Sequence, residues 1–170
     1  MLSIIIAAVV VLLDQLSKIE ILDFLKVSDM TVSGNSVSII NGILNFSYVP
    51  NYGAGFGILA DKRWVFMLIT SVVIIAILYL IFRYRGRSRL LDVVLGLILG
   101  GGIGNMIDRI RLGFVIDFID FCAFDFWKWV FNIADSAVTV GAILFFIYLL
   151  FFDKIFYQKK TKDGADSELK

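Results

Sequence analysis

Residues 64–82, WVFMLITSVVIIAILYLIF, run without one charged side chain. A stretch of that length and character can cross a bilayer as a helix, because about 20 apolar residues span the hydrocarbon. Inside lipid a backbone must satisfy its own hydrogen bonds, so that stretch restricts the chain to a narrow set of folds. Three further candidate spans stand around it. The first covers roughly 1–22 and is broken by Asp14 and Lys18; the third, roughly 91–109, is built around VVLGLILGGGIGNMI; the fourth covers roughly 129–152. With 59% hydrophobic residues and 18% charged, the composition agrees with an α-helical integral membrane protein of four transmembrane helices.

Several chemistries are excluded early. The chain has no histidine, which removes Ser-His-Asp triads, Cys-His dyads and His-ligated zinc. Cys122 is alone, so no intrachain disulfide forms, and it reads as an apolar packing residue beside Phe121 and Ala123. A net charge of +1 gives no field that would attract nucleic acid. The opening residues lack a basic leader and a small-residue cleavage site, so they read as an uncleaved span rather than a signal peptide.

Sidedness follows from the cations. The turn RYRGRSR holds Arg83, Arg85, Arg87 and Arg89, and the tail holds Lys154, Lys159, Lys160, Lys162 and Lys170. Basic loops stay in the cytoplasm, which places both termini there and the segments 23–63 and 109–128 outside. The polar tail, 153–170, reads as disordered, and residues 1–152 as a single membrane domain. Within the outer segment, roughly 24–63, partial alternation and the turn signals Gly34-Asn35 and Asn41-Gly42 predict a small antiparallel extracytoplasmic β-sheet.

The acids then fall at one depth. With a helical rise of about 1.5 Å per residue, Asp135 lies roughly 27 Å from Asp153, and Asp108 roughly 24 Å from Asp92. Both therefore reach the outer rim of the hydrocarbon. Asp14 lies in the outer half of the first span, and Asp117 in the loop between spans three and four. A carboxylate within a span costs about 2.5–3.5 kcal/mol on insertion scales, so each is a functional candidate, and an interfacial acid facing headgroups is the plain alternative.

Each acid has a polar companion. Asp14 and Lys18 in DQLSK are an i, i+4 pair. Asp108 and Arg109 follow Asn105, and Asn132 lies three residues before Asp135. The segment NYGAGFG, 51–57, supplies the Asn51 amide, and Gly53 and Ala54 are small enough to let backbone pass close to another group. GGIGN, with Gly101, suits tight helix packing.

Two carboxyl groups sharing a site keep one proton between them; the ionised one can activate water and the protonated one can polarise a carbonyl. Asp117, enclosed by Val115, Ile116 and Phe118, and Asp135 form the better pair. Asp120 and Asp125 are rivals in the same loop, and spacing alone does not decide among them. A Ser17–Lys18 dyad is disfavoured because adjacent helical residues point about 100° apart. A carboxylate-only metal site would leave the asparagines and glycines without a task.

Five motifs in order, DQLSK at 14–18, NYGAGF at 51–56, GGIGNMIDR at 101–109, VIDF at 115–118 and FNIAD at 131–135, resemble the lipoprotein signal peptidase family, the type II signal peptidases of bacteria. The resemblance covers nearly the whole chain. It implies a metal-independent aspartyl endopeptidase of the bacterial cytoplasmic membrane, needing no cofactor, that cuts diacylglyceryl-modified prolipoproteins on the N-terminal side of the lipidated cysteine. It implies Asp117 and Asp135 as the catalytic pair, with Asp14, Lys18, Asn51, Gly101, Asn105, Asp108, Arg109, Asn132 and Ala134 in support. It also implies a short outer helix over a site at the outer leaflet. The expected partners are lipid-modified substrates and membrane lipids, with the chain itself a monomer. Tyr52 and Gly55 depart from the family pattern and bear on the mouth of the site.

Two other classes stand against this reading. A proton-coupled transporter could use Asp14, but it would want polar groups near the midplane and access from both sides. A structural subunit with interfacial charges leaves GNMIDR and FNIAD at one depth without a reason.

Overall fold

The computed structural model describes residues 1–53, 63–124 and 129–151. The described chain forms four long helices and one small sheet. In order these are α1 (Leu2–Phe24), β1 (Gly34–Ile40), β2 (Leu44–Asn51), α2 (Arg63–Arg83), α3 (Arg89–Arg111), β3 (Val115–Phe121), β4 (Val130–Phe131) and α4 (Ile133–Phe151). All four helices are long and apolar enough to cross a membrane.

Local chemistry sets the helix ends. Ser88 caps α3, its hydroxyl accepting from the Leu91 N–H at 3.5 Å, and Asp92 lies in the first turn. Arg109 and Arg111 occupy the last turn, where cations favour the helix dipole. Gly113, at φ +89°, ends the helix by donating its N–H to the Arg109 carbonyl at 3.2 Å. The fourth span was expected from 129. Its helix instead starts at Ile133, because Val130 and Phe131 are drawn into the sheet and Asn132 caps the helix.

α3 is the central helix: α1, α2 and α4 all pack on it. Its glycines make this close approach feasible. A Cβ on Gly96 or Gly100 would lie 2.7 Å from atoms of α1, and one on Gly141 of α4 would lie 2.7 Å from Ile98. α2 is the peripheral helix, with Trp64, Leu68, Ile75, Tyr79 and Phe82 all exposed, as suits a lipid-facing element. Ala7, Ile77, Ile81, Leu91, Leu95, Leu99 and Tyr148 form the core of the bundle at the end away from the sheet.

The sheet is antiparallel throughout, in the order β1-β2-β3-β4. The hairpin of β1 and β2 was expected from its turn signals. The segment after span three, expected as a loop, supplies two more strands. β2 pairs Asn51 with Val115 and Val49 with Asp117, with a register shift between Phe46 and Val49. A second core of Ile21, Leu25, Tyr48, Phe114, Ile116 and Phe118 ties the sheet to the end of α1. The short outer helix is absent from the described part of its segment, 24–53. Residues 54–62, like the tail from 152 onward, lie outside the described residues.

Candidate active site

The site lies where the sheet meets the ends of α1, α3 and α4. Asn132 organises it. As the residue before α4, Asn132 accepts the Asp135 N–H on Oδ1 at 2.8 Å, while the Asp135 carboxylate accepts the Asn132 N–H on Oδ2 at 3.3 Å. This reciprocal pairing is a capping box, with the acid three residues after the cap. Cap geometry leaves the Asn132 amide nitrogen free to point elsewhere. It donates to Asp117 Oδ1 at 2.7 Å, to the Ile116 carbonyl at 3.2 Å and to Asn105 Oδ1 at 3.2 Å. One asparagine thus touches both candidate catalytic acids.

Each acid has a second amide. Asn51, at the end of β2, donates to Asp117 Oδ2 at 2.8 Å, and the Gly53 N–H donates to Asn51 Oδ1 at 3.0 Å, fixing which way the amide faces. Asn105 of α3 donates to Asp135 Oδ1 at 2.7 Å. Asp117 is 2% exposed. Burial, and then the negative charge of Asp135, push its carboxyl up to about 7, against the pull of the Asn51 and Asn132 hydrogen bonds. A carboxyl so placed holds a proton at a pH where a surface aspartate has lost it.

Beneath this pair lies a buried ionic layer. Lys18 Nζ is 2.8 Å from Asp14 Oδ2 and 2.7 Å from Asp108 Oδ2, and it donates to Asn105 Oδ1 at 3.3 Å. Asp14 Oδ1 accepts the Ala134 N–H at 3.0 Å, satisfying one of the open donors at the start of α4. Asp108 Oδ2 accepts the Ile116 N–H at 3.2 Å, holding β3 one residue before Asp117. So the layer fixes the backbone on both sides of Asn132. Arg109 donates to the Asn105 carbonyl at 3.4 Å and lies over the Phe66 ring at 5.4 Å. Among the described residues, no buried side-chain nitrogen or oxygen lacks a partner.

Glycines let these groups meet. A Cβ on Gly104 would stand 2.6 Å from Asp14 Oδ2, and one on Gly101 would strike the Ala134 carbonyl and, at 2.6 Å, Val138. Ala134, fully buried, is confined for the same reason.

The structure therefore gathers Asp14, Lys18, Asn51, Gly53, Gly101, Asn105, Asp108, Arg109, Asp117, Asn132, Ala134 and Asp135 at one place. Ala54, Gly55 and the rival Asp125 lie outside the described residues. The other rival, Asp120, accepts from the Ser47 hydroxyl at 3.0 Å, a polar partner on another strand that no local pattern announced. Tyr52, the departure from the family pattern, stacks at a tilt on Phe114, with ring centroids 5.1 Å apart.

Gln15 was not singled out by sequence reasoning. Its amide donates to Asp108 Oδ1 at 2.9 Å, Asp14 Oδ2 at 3.2 Å and the Gly104 carbonyl at 3.3 Å. Its place between Asp14 and Lys18, three residues before the lysine, was the available signal.

Comparison with known proteins identifies the family. The family model described as signal peptidase (SPase) II matches residues 6–151. A lipoprotein signal peptidase of Bacillus subtilis is 45% identical over 150 residues, covering 88% of this chain and 94% of that protein. One of Halothermothrix orenii is 43% identical over 145 residues, covering 85% and 92%. Among solved structures, a bacterial membrane enzyme determined at 2.3 Å superposes with a TM-score of 0.76 at 38% identity, covering 87% of each chain. Fold, site and sequence together place this chain in the signal peptidase II family, the lipoprotein signal peptidases.

Proposed function

We propose that this chain is an aspartyl endopeptidase that removes the signal peptide of diacylglyceryl-modified prolipoproteins, cutting N-terminal to the lipidated cysteine, with Asp117 and Asp135 as the catalytic pair. The observation that carries the reading is Asn132, which hydrogen-bonds both carboxylates while capping α4. The two acids share one proton near neutral pH. The ionised member takes a proton from water as the water oxygen attacks the scissile carbonyl carbon. The protonated member donates to the carbonyl oxygen. When the C–N bond breaks, the leaving nitrogen takes the proton drawn from water; a hydroxyl of the tetrahedral intermediate returns its proton to the other acid as the carbonyl re-forms, and the one-proton resting state returns.

Lys18, Asp14 and Asp108 hold the scaffold and leave the reaction itself to the pair. Chain residues alone supply this chemistry, with no metal or cofactor called on. Residues 1–152 form one membrane domain of the bacterial cytoplasmic membrane, with both termini and the tail in the cytoplasm and the site at the outer leaflet. There the substrate's lipid anchor holds its cysteine level with the acids. The chain acts as a monomer, since a single copy supplies both acids.

The test is a cleavage assay in detergent micelles with a chelator present. Wild type, Asp117→Asn and Asp135→Asn each receive a lipid-modified prolipoprotein and its unlipidated twin. Cleavage of the lipidated form by wild type alone is expected. Full activity in either folded variant would remove that residue from the catalytic pair.

A further inference from the structure

α2 and α4 both pack on α3 but scarcely touch each other. Between them a cleft of about 270 Å³ opens sideways. Asn105 and Asp135 stand at its head, Ile98 and Gly102 form its floor, and Thr70 and Val138 line its walls. From Asn105 down to Ile98 the helical rise gives roughly 10 Å. An extended peptide advances about 3.3 Å per residue, so the cleft has room for about three residues.

Gly102 differs from the other glycines of α3. A Cβ on Gly96, Gly100 or Gly104 would lie 2.6–2.7 Å from an atom of α1, and one on Gly101 would strike α4. A Cβ on Gly102 would meet Ile74 at 3.6 Å and Thr70 at 3.9 Å, both ordinary contacts. Helix packing therefore does not require a glycine here. What a side chain at this position would occupy is the cleft, about one helical turn below Asn105.

Resting on the peptidase reading above, we infer that this cleft seats the substrate residues just before the cut, and that Gly102 sets the size of side chain accepted there. The direction follows from topology. The part of the substrate N-terminal to the cut is its membrane segment, so it leaves the acids toward the bilayer interior, the way the cleft runs. To present a carbonyl to the acids that segment must unwind, and unwound backbone is tolerated in a membrane only where protein shields or partners it. The gap between α2 and α4 admits it from the lipid, and the Thr70 and Thr139 hydroxyls, the Asn105 amide and the Arg109 guanidinium offer hydrogen-bonding groups along the lining.

The experiment uses purified wild type, Gly102→Ala and Gly102→Val in detergent. Each receives a series of lipid-modified substrates with glycine, alanine, serine, threonine or leucine immediately before the lipidated cysteine. In Gly102→Val, kcat/KM should fall at least about tenfold more for the largest side chain that wild type cleaves than for glycine, mainly through KM, with Gly102→Ala intermediate. Thermal stability of Gly102→Ala should stay near wild type, since its added carbon meets Ile74 and Thr70 only at ordinary contact distance. An equal loss across the series, or no loss, overturns the inference alone. Wild type that cleaves no member overturns the peptidase reading and this inference with it.

Discussion

Asn132 and Asp135 cap each other across the first turn of α4, at 2.8 Å and 3.3 Å, and the Asn132 amide reaches Asp117 at 2.7 Å. Helix initiation and the alignment of two acids are therefore one piece of structure. Asn132→Ala should lower stability by about 1 kcal/mol through the lost cap. It should lower kcat by about a hundredfold, since a misplacement near 1 Å has that effect on a positioned reaction. Chemical denaturation and steady-state cleavage of one lipidated substrate would separate the two.

The raised carboxyl of Asp117 makes stability pH-dependent. Its folded value of about 7 lies above its ordinary value of 3.8, so between those limits the folded state holds a proton that the unfolded chain has released. That contribution is complete below pH 4 and is lost as pH rises through 7. Wild type should therefore lose thermal stability from pH 4 to 7 more steeply than Asp117→Asn. Parallel melting curves for the two proteins over that range would contradict it.

Lys18 sits 2% exposed between two carboxylates. Lys18→Met keeps the stem but leaves Asp14 and Asp108 buried without a cation. Breaking one side of such a buried pair costs about 3–5 kcal/mol. Unfolding in a detergent titration, compared with wild type, checks the magnitude.

Gly104→Ala places a methyl 2.6 Å from Asp14 Oδ2 and 3.3 Å from Ala134 Cβ. Asp14 must shift, and with it the hydrogen bond that anchors Ala134. Overpacking of this kind costs about 1–3 kcal/mol. Cleavage should fall further than stability, because the displaced turn carries Asp135.

Asp120 tests the choice among acids. It accepts from the Ser47 hydroxyl and takes no part in the hydrogen bonds that Asn132 makes to Asn105, Ile116 and Asp117. Asp120→Asn should retain wild-type cleavage within about threefold, against loss in Asp117→Asn. Comparable loss in both would move the catalytic assignment to β3 as a whole.

Much of this was legible before the fold. Four spans follow from the length of the mostly apolar stretches, and the shared depth of Asp14, Asp108 and Asp135 follows from helical rise. The Asp14–Lys18 pair follows from its four-residue spacing. Gln15 was harder to read, since only its place between Asp14 and Lys18 pointed to the layer it joins. The strand character of VIDFID was hidden too, because its partner, LNFSYVPN, lies over 60 residues away and strand pairing is a non-local event.

What the sequence by itself determined was the set of spans and the level of the acids, because both depend on residue type and on distances along one helix. What only the tertiary structure decided was which acids meet. Asp117 reaches Asp135 through the register of β3 against β2 and through the turn that Gly113 makes at the end of α3. The layer below them depends on glycines that bring α1 and α4 against α3. Those are contacts between segments far apart in the chain, fixed by packing, and no local pattern encodes them.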